Sequence, residues 1–200
     1  MRSIHAYTRC LGLLLVLSHP VTGAADVARG VDADTGLAKW RLTAGAAEFE
    51  LIQRLPDQTR GFFQARHFPV AVADEIAGNC IFQTIIRNTG ASGSGESVAI
   101  DLGTWRVIRD GREGPLRLKE PWLASWSDAD VGKDAQLAFR WAMFPTRQEF
   151  LPGDYNWGMT AYGLPPGAVF DLHLTWRSGG REESGWIRGI ECAPDVEKLK

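Results

Sequence analysis

Most of the residues that announce a chemistry are scarce in this chain. Its 200 residues include three cysteines, four histidines and three methionines. There is no Gly-x-Ser-x-Gly elbow, glycine-rich phosphate loop, dinucleotide fingerprint, His-Glu-x-x-His or Cys-x-x-Cys. Serine-hydrolase, nucleotide-binding, zincin and thiol-redox chemistry are therefore left without an anchor. Charge of one sign is lacking too, since 22 Lys and Arg face 24 Asp and Glu for a net charge of −2. A chain so close to neutrality has no electrostatic case for nucleic acid or an anionic membrane as partner. Three cysteines are also too few for a disulfide-dense miniature scaffold. Tryptophan, by contrast, is plentiful. Eight occur in a composition that is 44% hydrophobic, enough for a folded core.

The one long apolar run is at the N-terminus. Arg2 and Arg9 precede Cys10 to Leu17, Pro20 interrupts, and Thr22-Gly23-Ala24-Ala25 supplies small residues before Asp26, the first acid. This is the layout of a secretory signal peptide, with cleavage expected after Ala24. The run is shorter than the roughly 20 apolar residues that span a bilayer. Loss of residues 1–24 leaves Cys80 and Cys192, His67 and His173, Met143 and Met159, and a net charge of −4. The expected location is periplasmic or secreted, with no membrane span after cleavage. In that oxidising setting an even cysteine count reads as a bridge, here Cys80–Cys192.

The remainder reads as strands and turns. Residues 25–45, rich in Ala, Gly and Asp, have little pattern and are expected to be a flexible lead-in to a single domain over 46–195. Asp57 is placed to cap a short helix over Gln58 to Arg66. Cys80 to Arg87 and Val98 to Leu102 read as strands, and Asp110-Gly111 is a two-residue hairpin signal. Gln136 to Phe144 alternates, which puts Leu137, Phe139, Trp141 and Met143 on one face of an expected strand. The clearest alternation follows Val169, with Phe170, Leu172, Leu174 and Trp176 inward and Asp171, His173, Thr175 and Arg177 outward. Seven or eight such strands with a single short helix predict an all-β fold. The architecture is an antiparallel two-sheet sandwich, immunoglobulin-like in the loose sense.

Three functional readings follow. The first is partner recognition by an exported, non-enzymatic accessory protein of the cell envelope, through an expected hairpin over 144–159. That segment sets Arg147, Asp154, Tyr155, Asn156 and Trp157 among tight-turn residues. Arg147 pairing with Asp154 is the structural alternative for the same residues. The second is copper handling, because imidazole and thioether ligands together suit copper and His67, Met143, Met159 and His173 are the available set. Copper is the one cofactor the sequence suggests. The third is glycan binding on exposed indoles at Trp122, Trp126 and Trp157, which lie in or beside polar loops. No catalytic residue is assigned. The partner expected is another envelope or exported protein.

Overall fold

A computed structural model describes residues 25–196. The expected signal peptide lies outside the described residues. Strands β1 (Asp26–Val31), β2 (Ala38–Ala44), β3 (Ala47–Gln53), β4 (Ile81–Asn88) and β9 (Tyr155–Ala161) make one antiparallel sheet, ordered β1-β2-β3-β4-β9. The second sheet contains β5 (Val98–Asp101), β6 (Arg106–Arg109), β7 (Arg112–Pro115), β8 (Arg147–Phe150), β10 (Val169–Ser178) and β11 (Arg181–Glu191). Its order is β7-β6-β10-β5-β8, with β11 also paired to β10. Strand β10 is the spine, because β11 lines one edge while β6 and β5 share the other in succession.

Alternation explains why the two sheets face each other. Phe170, Leu172, Leu174 and Trp176 of β10 are all buried, as the sequence pattern requires. They share the inter-sheet core with Trp40 and Leu42, Phe49 and Leu51, and Phe82 and Ile86 from the opposite sheet. The Phe49 ring contacts Trp105 and Trp176, with centroids 5.8 and 5.0 Å away. The hairpins close where both turn residues take positive φ, at Asp110-Gly111 (50° and 71°) and Gly179-Gly180 (53° and 80°). That twist matches paired strands.

Two expectations are corrected. Residues 25–45 are not a loose lead-in but carry β1 and β2, and Trp40 and Leu42 belong to the core. The described residues hold four α-helices, not one: α1 (Pro56–Gln64), α2 (Val70–Ala77), α3 (Lys119–Ser125) and α4 (Lys133–Ala142). The last of these replaces the strand expected over 136–144. Its sequence, Lys-Asp-Ala-Gln-Leu-Ala-Phe-Arg-Trp-Ala, contains no β-branched residue and is built mainly from strong helix formers. The helical period buries Ala135 and Phe139, four residues apart, and turns Leu137 and Trp141 outward together.

The helices form a second hydrophobic cluster. Phe63, Phe68, Trp122 and Phe139 pack with Met143 and with Ile81, Met159 and Ala161 from the first sheet. Those three strand residues lie on the face of β4 and β9 opposite Phe82, Ile86 and Tyr162, so the helices cover one end of that sheet's outer face. Buried Arg60 on α1 holds the C-terminal segment, donating to Asp195 and, through Nε, to Asp74 at 2.7 Å.

Cys80 and Cys192 are disulfide-bonded across a separation of 112 residues. Cys80 leads into β4 of one sheet and Cys192 follows β11 of the other, so the bond staples the sandwich at one end. On the chain-entropy account a loop of that size contributes about 4–5 kcal/mol, and removal of native bridges typically costs about 2–5 kcal/mol. The double variant Cys80→Ala/Cys192→Ala is expected to lose that range of unfolding free energy in urea titrations. A loss under about 1 kcal/mol would show that the sheets hold together without the staple.

Candidate functional site

The 144–159 segment is not a hairpin. It is a place where the chain changes sheets. After α4, Met143 forms a parallel bridge with Met159, and the Phe144 amide donates to the Met159 carbonyl at 2.8 Å. The chain then enters β8, which pairs with β5, turns at Leu151–Asp154, and returns as β9 beside β4. Gly158 is required at the crossing, because a Cβ there would lie 2.7 Å from the Phe144 nitrogen and 2.8 Å from its Cα. The two limbs are tied side by side where Asn156 Nδ2 donates to Gln148 Oε1 at 2.7 Å.

This crossing divides the five expected recognition residues. Arg147 does not pair with Asp154. Its Nε donates to Asp101 Oδ2 at 2.7 Å, on the second sheet. Asp154 instead closes the turn, accepting from the Leu151 amide at 2.9 Å. Asn156 also accepts from the Trp157 amide at 2.8 Å, which occupies an edge donor. Those two polar residues build the corner. Tyr155 and Trp157 point outward, 65% and 63% exposed, and neither has a side-chain hydrogen bond or ring partner among the described residues.

Trp141 completes this aromatic edge. Expected to face the core, it is 80% exposed on α4. Trp141 and Trp157 each stand two residues before a member of the Met143–Met159 bridge, so both are carried by backbone that meets at the same edge of the first sheet. Backbone reach alone limits their Cα separation to about 20 Å. Leu137 on α4 and Leu151 in the turn add exposed apolar surface along the same stretch of chain. The signal for Trp141 and Leu137 is their spacing of four, which fits the helical period as well as the strand alternation.

The other expected indoles are occupied. Trp122 is buried, its Nε1–H donates to Glu75 Oε1 at 2.9 Å, and Arg117 covers its ring. Trp126 is half-buried against Phe68 and Phe139. Of the three loop tryptophans only Trp157 is exposed. Among the copper candidates, Met143 and Met159 do come together, both buried in the helix-side cluster. His67 is exposed in the α1–α2 link with φ 64°. His173 lies on the outward face of β10 in the other sheet, its ring stacked on Trp186 at 4.5 Å. No cluster of three or more His, Cys, Asp or Glu that could hold a metal occurs among the described residues.

Arg147 and His173 border a groove of about 1070 Å³ on the outer face of the second sheet. Small side chains (Ala99, Thr104, Thr175 and Ser184) leave room between longer charged ones, including Glu149, Arg177 and Glu182. Asp101 is the fixed charge there. Burial pushes its carboxyl up, but the Arg147 guanidinium and the Gly103 amide outweigh burial and hold it below the ordinary carboxylate range. No protein family, curated protein or solved structure matches the chain.

A carboxyl held low in the folded state stabilises it above the ordinary carboxylate value near 4, and that stabilisation is lost as the pH falls. Asp101→Asn should therefore lower Tm at pH 7. The gap to the parent protein should close as the pH drops below about 4. A gap that is independent of pH would contradict this account of Asp101.

Proposed function

We propose that this chain is an exported, disulfide-stapled binding protein that recognises another envelope or exported protein through its aromatic edge. One observation carries the reading: Trp141 and Trp157 are 80% and 63% exposed on a helix and a strand that are both anchored in cores. An exposed indole in water gains from burial against a partner, and it has only two side-chain torsions to immobilise. Trp and Tyr are the residue types that most often dominate binding energy at interfaces. Tyr155 adds an amphipathic ring, apolar in body and polar at its tip.

The edge favours docking by side chains over strand addition. The Asn156 side chain engages the Trp157 amide, and the stretch running from Met143 covers β9 at Met159. A blunted edge offers a poor template for an incoming strand. Export is supported by the signal-like layout of residues 1–24 and agrees with the disulfide, a bond that persists in oxidising compartments.

Tagged protein recovered from the periplasmic or secreted fraction of its native cells should bring down one partner. Trp141→Ala/Trp157→Ala should reduce that recovery at least ~10-fold, the effect of removing a hot spot of about 2 kcal/mol. Stability should change by less than about 0.5 kcal/mol per site, because neither ring contributes to a core. Undiminished recovery with the double variant would overturn the reading.

A further inference from the structure

A second pocket lies at the opening of the sandwich beside the β6–β7 hairpin, with a volume of about 460 Å³. Its apolar floor is Val107, Leu116 and Tyr162, all buried, with Leu164 beside them. The space exists because Gly114 stands directly opposite Val107 in the register, and a Cβ built on Gly114 meets nothing within 4 Å. Two residues farther along the same face, Arg109 and Arg112 are paired directly across the Asp110-Gly111 turn. Both line the pocket.

That pairing is unfavourable by itself, since like charges directly opposite on a sheet repel. The neighbouring acids relieve it little. Glu113 pairs with Arg106 at 3.3 Å, and among the described residues Arg109 pairs only with the highly exposed Asp110 at 3.4 Å. Arg112 has no ion-pair partner among the described residues. Two guanidinium groups at the rim of an apolar hollow complement a planar or tetrahedral oxyanion carried on an apolar body. The volume falls in the range of small-ligand sites, roughly 300–1,000 Å³.

We propose that this pocket binds a small amphipathic anion, its oxyanion held by Arg109 and Arg112 and its apolar part over Val107, Leu116 and Leu164. The site is separate from the aromatic edge, and its ligand does not depend on the protein partner. A bound anion would also relieve the repulsion across the hairpin, so occupancy would stabilise the fold.

The test is calorimetric titration of the disulfide-bonded protein with octanoate, octyl phosphate, 1-octanol and inorganic phosphate. Saturable one-site binding is expected for octanoate, octyl phosphate or both, at least ~10-fold tighter than for octanol or phosphate alone. Preference between the two head groups distinguishes a carboxylate ligand from a phosphate one. Arg112→Gln should weaken binding at least ~10-fold while leaving Tm in the absence of ligand unchanged or raised. Gly114→Val should fill the hollow and block binding with both arginines in place. Arg188→Gln, outside the pocket, should have no effect. The proposal is overturned if neither alkyl anion saturates, if octanol binds as tightly, or if Arg112→Gln and Gly114→Val both bind normally.

Discussion

A single buried carboxamide holds the corner where the chain passes from β8 of one sheet to β9 of the other. Asn88, the last residue of β4, donates through Nδ2 to the Phe150 carbonyl at 3.0 Å and to the Glu96 carbonyl at 2.8 Å. Its Oδ1 accepts from the Gly90 amide at 2.9 Å. Its own backbone brackets the turn, with N–H donating to Asp154 and C=O accepting from Gly153, both at 2.9 Å. Asn88 is buried, so each of these groups would cost about 1–3 kcal/mol if left unpaired. The end of β8 and the start of β9 are thereby fixed relative to β4. That register sets Trp157 opposite Ile85 and Tyr155 opposite Arg87, which decides where both aromatic rings emerge.

The outer face of the first sheet is divided by the same register. Toward β2 and β3 it is closed by ion pairs around Glu50, a buried carboxylate that Arg41 engages through Nε and Nη2, with Lys39 and Arg87 nearby. At one end it is closed by the helices, through Ile81, Met159 and Ala161. Neither layer covers edge strand β9 at Tyr155 and Trp157, and α4 turns Leu137 and Trp141 to solvent. The aromatic edge is thus a part of this face where, among the described residues, the Tyr155 and Trp157 rings have no intramolecular partner. The second sheet presents a different surface, a charged groove with small residues between its walls.

Features governed by local rules were legible in the sequence. The alternation of β10, the Asp110-Gly111 turn and the Cys80–Cys192 bridge each follow from residue type and spacing, and each is present. Features that depend on distant pairing were not. Strand β1 is exposed along its whole length, so it carries no inward and outward alternation to read. The hairpin expected over 144–159 does contain a turn, but a turn does not say that its two limbs join different sheets. Met143 meets Met159 where a helix end meets a strand, a pairing that no local spacing announces. In α4 the residues Leu137, Phe139 and Trp141 suit either period, and the absence of β-branched side chains was the deciding clue.

The central claim is that Trp141, Tyr155 and Trp157 form one recognition surface. Site-specific photo-crosslinking in the native cell tests it most directly, with a photoreactive phenylalanine placed singly at 141, 155 or 157 and, for comparison, at 149 or 188. The account predicts adducts to the same partner from all three edge positions and none from Glu149 or Arg188, which lie on the second sheet. Adducts from the second-sheet positions with none from the edge would contradict it.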